Sequence, residues 1–130
     1  MNDLSKYNDI TDKVIKAFYY VYNKLGYGFL EKVYENAMVV TLKKYGCNII
    51  QQFPAKVYFE GEIVGDYYAD LIVDNCVIVE LRASESIIEA HESQLINYLK
   101  ATNIEVGLIL NFGVKPEFRR KVFSRLVKQV

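Results

Sequence analysis

Residues 104–112 form a nearly unbroken apolar run, and no other segment constrains the fold as much. A strand apolar at every position is buried on both faces, and such strands lie in sheets covered by helices. The preceding segment, from Ser86 to about Ala101, reads as a helix with Ile88, Leu95 and Leu99 as its core line. Ser86 with Glu89 three positions later predicts a capping box at its start. Residues 76–81 read as a strand, and strand, helix, strand implies a right-handed crossover. The run at 104–112 is therefore expected to lie parallel to an earlier strand in a mixed sheet.

Upstream, Ile10, Val14, Phe18, Val21 and Leu25 recur at helical spacing and stop at Gly26. A second helix follows the turn Gly26-Tyr27-Gly28, with Leu30, Val33, Tyr34, Ala37, Met38, Thr41 and Leu42 on one face, and ends at Gly46. Residues 49–53, 57–59, 63–73 and 76–81 are rich in β-branched and aromatic side chains. The pairs Glu60-Gly61 and Asp74-Asn75 predict tight turns, so these segments read as an antiparallel meander. Pro116 is expected to open a last helix. The order is helix, helix, three strands, helix, strand, helix: an α/β chain with a mixed sheet flanked by helices.

With 130 residues, positions 1–130 are expected to form one domain. No apolar stretch approaches the roughly 18 residues that a membrane span needs, and the first residues are polar, so no membrane association and a cytoplasmic location are expected. Cys47 and Cys76 lie far apart with one histidine in the chain, which suggests core thiols and neither a zinc site nor a disulfide framework. Sixteen basic and sixteen acidic residues cancel, so any pull on nucleic acid must come from their distribution. The basic residues Lys115, Arg119, Arg120, Lys121, Arg125 and Lys128 crowd the end of the chain; they are either a solvated helix face or a nucleic-acid contact surface, with Arg119, Arg120 and Arg125 as its candidates.

Polar residues in positions where the pattern demands apolar ones carry the chemical information. At about 100° per residue, Glu31 falls between Met38 and Leu42 on the second helix. Asp70 interrupts an apolar strand, and Glu80 follows Val77-Ile78-Val79 in the same way, sharing a face with Arg82. Pairing about the Asp74-Asn75 turn can bring Asp70 and Glu80 together. Several buried like charges cost several kcal/mol per ion unless neutralised, protonated or bound to a cation. Oxygen ligands favour Mg²⁺ or Mn²⁺ over zinc. Ordinary ion pairing, Glu80 with Arg82 or Asp70 with a lysine, is the alternative. On the third helix His91, Gln94 and Tyr98 share one flank. A lone helical histidine is more often a hydrogen-bonded surface residue than a general base.

Gly28-Phe29-Leu30-Glu31-Lys32-Val33-Tyr34 reads as GxxExxY. With Tyr68-Ala69-Asp70-Leu71-Ile72-Val73, Val77-Ile78-Val79-Glu80-Leu81-Arg82-Ala83, His91-Glu92-Ser93-Gln94-Leu95-Ile96-Asn97-Tyr98-Leu99 and Gly107-Leu108-Ile109-Leu110-Asn111-Phe112-Gly113, it resembles the GxxExxY family of the PD-(D/E)XK nuclease superfamily over nearly the whole chain. The resemblance implies a restriction-endonuclease-like core of order α-β-β-β-α-β. It implies that Asp70, Glu80 and the carbonyl of Leu81 hold a divalent metal, Mg²⁺ or Mn²⁺, with Glu31 completing the acid cluster. Gln94 and Tyr98 then resemble a QxxxY element bordering the site, beside His91.

Two positions depart from the family pattern: Arg82 stands where a lysine ends E-x-K, and Tyr68 where a basic residue commonly precedes the Ala-Asp pair. Arginine keeps the charge, but with a pKa above about 12 it cannot act as a base. Two functions follow from the resemblance. One is a metal-dependent nuclease hydrolysing phosphodiester bonds, DNA before RNA, using Glu31, Asp70, Glu80, Arg82 and Gln94. The other is a catalytically inactive nucleic-acid-binding or interaction module of the same fold. A homo-oligomeric scaffold using the tyrosines and basic end as contact surfaces is a third reading.

Overall fold

The computed structural model describes residues 7–124. Helical spacing produces α1 (Asn8–Leu25), with Gly26 at φ 70° after it, and α2 (Glu31–Lys44). A left-handed residue just past a helix is a position that glycine fills without steric cost. The meander is β1 (Ile49–Phe59), β2 (Glu62–Val73) and β3 (Val77–Arg82). β1 runs through Pro54 unbroken because it is an edge strand, where a missing N–H is tolerated. Both turns carry left-handed central residues, Glu60 and Gly61 at φ 50° and 83°, Asp74 and Asn75 at φ 50° and 57°. Turns with two such residues match the twist of the strands they join.

Next come α3 (Glu89–Ala101), β4 (Val106–Phe112) and β5 (Pro116–Val122), giving a mixed sheet in the order β1-β2-β3-β4-β5. β4 lies parallel to β3, as the crossover predicts, and every other pairing is antiparallel. All of β4 is buried. α1 and α2 cover one face, where Phe18, Tyr34, Met38 and Leu42 pack with Leu71, Val79, Leu108 and Leu110. On the other face, Leu95 and Leu99 of α3 pack with Ile72, Ile78 and Ile109. No helix among the described residues is long and apolar enough to cross a membrane.

Two local expectations are corrected. Pro116 opens a strand and not a helix, with Phe118 opposite Leu110 and Val122 opposite Val106. Phe118 and Val122 are four positions apart, a spacing that puts two residues on one face of a helix and of a strand alike, so periodicity could not decide. The free edge of β4 decided, because its backbone groups need partners. The start of α3 also differs. Its N-cap is Ile88, and His91 Nδ1, not a capping box from Ser86, accepts the Ile88 N–H at 3.2 Å.

One irregularity positions the site. Ala69 and Ile72 pack on the α3 side while Leu71 and Val73 pack on the α1/α2 side. Strict alternation would place Ala69 with Leu71, so β2 changes face at Asp70. β1 changes face as well, since Ile49 packs towards α1/α2 and Phe53 towards α3 despite being four apart. Between them Gln52 has φ 53°, in the left-handed region.

Candidate active site

Regular pairing of β2 with β3 runs from Val73–Val77 to Leu71–Val79. The next two residues are Asp70 and Glu80, and side-chain bonds replace the backbone ladder there. The Asp70 N–H donates to Glu80 Oε2 at 2.8 Å, and the Leu81 N–H donates to Asp70 Oδ2 at 2.9 Å. Each carboxylate therefore spends one oxygen on the opposite strand and keeps the other for a further partner. Glu80 is only 3% exposed, and Asp70 is partly exposed. Burial first, and then the Asp70 charge, push the Glu80 carboxyl up to about 8. The Asp70 carboxyl is raised too, by burial and then by the charge of Glu35.

Arg82 is the cation at this site. Its guanidinium lies 4.0 Å from Glu80 Oε1, donates to the Leu81 carbonyl at 3.0 Å and to Gln94 Oε1 at 2.7 Å. Gln94 thus holds Arg82 across from α3. Tyr98 stacks on Tyr67 with ring centroids 3.8 Å apart. Both phenols are raised, chiefly by burial, with Glu80 contributing. The Tyr67 hydroxyl is buried without a hydrogen-bond partner. His91 is lowered by burial and then by the Arg82 charge, and its Nδ1 is engaged at the start of α3.

Glu31 does not join the acids. It is exposed and borders a groove with Phe29, Leu30, Ser84 and Glu85. The acid that α2 turns towards Asp70 and Glu80 is Glu35, one turn later and 3% exposed. Lys32 pairs with its Oε2 at 3.1 Å, Gln51 donates to the same oxygen at 2.8 Å, and Gln52 donates to Oε1 at 2.9 Å. A signal for Glu35 was present: Met38, Val39 and Leu42, all buried, lie three, four and seven positions after it. The expected stripe failed only at its start, where Leu30 and Val33 are exposed, while Tyr34, Met38, Thr41 and Leu42 are buried as expected. Gln51 and Gln52 had no such signal.

The basic candidates lie on β5. Arg119 is paired with Glu117 at 3.0 Å and Arg120 donates to Asn8 at 3.4 Å; both side chains are exposed. Arg119 lies in register with Ile109, which lies in register with Glu80, so two strand spacings, about 10 Å, separate it from Glu80. Arg125 lies outside the described residues. Tyr68 is exposed. Two clefts of about 500 and 570 Å³, beside Lys56 and Tyr58, are lined by none of these acids.

The donors suit a hard cation. Asp70 Oδ1, Glu80 Oε1 and the Leu81 carbonyl are oxygens, and among the described residues Arg82 is the cation that faces the charge of Asp70 and Glu80. Among the described residues no group of three or more His, Cys, Asp or Glu is arranged to hold a metal, so the carboxylate pair is the unit to which such an ion would bind.

A sheet with helices on both faces, carrying an Asp and a Glu that lock together at the splayed end of two strands, defines a restriction-endonuclease-like α/β protein. The profile of the PD-(D/E)XK nuclease superfamily matches residues 8–121, and the chain belongs to that superfamily. Its members generally use divalent metals and act on nucleic acid. A solved structure described as "Crystal structure of SSO0001" shares the fold, with a TM-score of 0.57 at 16% identity over 91% of this chain. The match spans 61% of that chain's length. No curated protein matches the sequence.

Proposed function

We propose that residues 1–130 act as one nuclease domain of the GxxExxY branch, hydrolysing phosphodiester bonds of nucleic acid, DNA in preference to RNA, with Mg²⁺ or Mn²⁺. The reciprocal bonding of Asp70 and Glu80 carries this reading, because it holds a buried carboxyl beside a partly exposed one, an arrangement that is costly unless a cation balances it. Asp70, Glu80 and the Leu81 carbonyl hold the ion, and Glu35 adds charge behind them in the place assigned to Glu31. The bound ion supplies neutralisation of phosphate charge and activation of water. Arg82, aimed by Gln94, binds the phosphate and stabilises the negative charge that builds on it. Tyr98 and His91 border the site. Arg119 and Arg120 offer exposed charge for flanking phosphates. The scarcity of cysteine, with Cys47 and Cys76 far apart in the sequence and no CxxC pair, suits a reducing, cytoplasmic setting.

A second reading, a nucleic-acid-binding module without catalysis, is favoured by the tethering of Arg82. A guanidinium bonded to Leu81 and Gln94 cannot take up a proton from water as a lysine could. The test is Mn²⁺-supported cleavage of labelled single- and double-stranded DNA and RNA by the parent, Asp70→Ala and Arg82→Lys. Cleavage by the parent that Asp70→Ala lacks supports the nuclease. Equal cleavage by Asp70→Ala removes the assigned site, and cleavage by Arg82→Lys alone favours the binding module.

A further inference from the structure

Glutamine has no local reason to sit at φ 53° inside a strand. The left-handed region is costly for a residue with a Cβ, and it persists where the surroundings over-determine it. Gln52 sits there midway along β1, between the paired positions Gln51–Leu71 and Phe53–Ala69, which puts it opposite Asp70. The consequence is geometric: β1 changes face at this residue, as β2 does at Asp70. With the backbone turned in this way, one side-chain amide reaches two carboxylates. Gln52 Nε2 donates to Glu35 Oε1 at 2.9 Å and to Asp70 Oδ1 at 3.4 Å. Oδ1 is the Asp70 oxygen left over after Oδ2 accepts the Leu81 N–H.

We infer that Gln52 is a positioning residue, a relay that takes its bearing from the buried carboxylate of Glu35 and fixes the free oxygen of Asp70 for a divalent cation. This rests on the reading of Asp70 and Glu80 as the ion's ligands. Glu35 acts through the relay. Its own oxygens are occupied by Lys32, Gln51 and Gln52, so it orients the amide and adds negative charge behind it. The unusual backbone is the cost of delivering that amide from an edge strand to the middle of the site. Groups that orient a ligand in this way commonly change metal affinity by about 10- to 100-fold when removed.

The choice of variant separates positioning from folding. Glycine takes a positive φ freely, so Gln52→Gly relieves the backbone while deleting the amide, and Gln52→Asn tolerates the backbone with an amide too short to span both acids. Mn²⁺ binding by calorimetry, with thermal unfolding of the metal-free chain, is the measurement. The expected result is that Gln52→Gly unfolds no lower than the parent yet binds Mn²⁺ about 10-fold or more weakly, and that Gln52→Asn is weakened likewise. Glu35→Gln should weaken binding in the parent and add little in the Gln52→Gly background, since the two act as one unit. Unchanged Mn²⁺ affinity in Gln52→Gly, with binding abolished by Asp70→Ala, overturns the relay and leaves the site standing. Full additivity of Glu35→Gln and Gln52→Gly also overturns it. If the parent takes up no Mn²⁺, or Asp70→Ala takes it up equally, the reading of the site fails and the relay with it.

Discussion

Asp70 and Glu80 bind each other's strand: the N–H of Asp70 donates to the Glu80 carboxylate, and the Asp70 carboxylate accepts the N–H of Leu81, the residue after Glu80. This exchange occupies the step at which the β2–β3 ladder ends. Two backbone donors that the splayed strands would leave unmet are satisfied, and the two acids are held together. Four consequences are open to measurement.

Stability of the metal-free chain should fall as pH rises. The Glu80 carboxyl is raised in the folded state to about 8 from an ordinary value of 4.5, so the folded chain holds a proton that the unfolded chain has released. Between those values stability drops with pH, by up to roughly 1.4 kcal/mol per unit for one proton. Urea unfolding at pH 5, 6, 7 and 8 should show the decline, and Glu80→Gln should flatten it. A parent that grows more stable over this range contradicts the assigned protonation.

Gln94→Ala should separate activity from stability. It removes the 2.7 Å acceptor of Arg82, which is partly exposed and keeps the Leu81 carbonyl, so unfolding should change by no more than about 1.5 kcal/mol. Cleavage should fall about 10-fold through a misplaced guanidinium. Denaturant melts beside turnover assays test this, and a loss of both in equal measure would point to a structural role instead.

Tyr67→Phe should be neutral or stabilising. Its hydroxyl is buried without a partner, and deleting such a group returns up to about 1 kcal/mol. The ring keeps its stacking on Tyr98. A thermal midpoint several degrees below the parent would mean that the hydroxyl is satisfied after all.

Asn111→Ala and Gly113→Ala should both destabilise. Asn111 is 0% exposed, and its amide accepts from the Ser84 N–H and donates to the Ser84 carbonyl, both at 2.9 Å. Losing these bonds strands buried groups, at about 1–3 kcal/mol. A Cβ on Gly113 would stand 2.5 Å from the Ser84 carbonyl oxygen, where backbone must move, at a similar cost of about 1–3 kcal/mol. Chemical denaturation reads both, and a shift under about 0.5 kcal/mol in either would refute the clamp on this loop.

Local pattern carried much of this protein. Gly26 and the spacing of Val14, Phe18 and Val21 mark α1, the pairs Glu60-Gly61 and Asp74-Asn75 mark the meander turns, and the apolar run before Gly113 marks the parallel strand. Asp70 and Glu80 stood out because a carboxylate inside an apolar strand is costly wherever that strand packs. Pattern failed at Pro116, where Phe118 and Val122 satisfy helix and strand periods together, and at α2, where Glu31 shares its angle with buried Met38 and Leu42 but, as the first residue of the helix, is exposed.

The sequence by itself determined most of the elements before residue 116 and that Asp70 and Glu80 break the apolar pattern, because periodicity and turn chemistry act within a few residues of the chain. Only the tertiary structure decided that Glu35 and not Glu31 approaches the acids, that Gln52 spans Glu35 and Asp70, and that residues 116–122 complete the sheet. Those outcomes depend on how α2 is rotated against the sheet and on the two strands changing face at Gln52 and Asp70. Both are settled between elements, where no repeat along the chain records them.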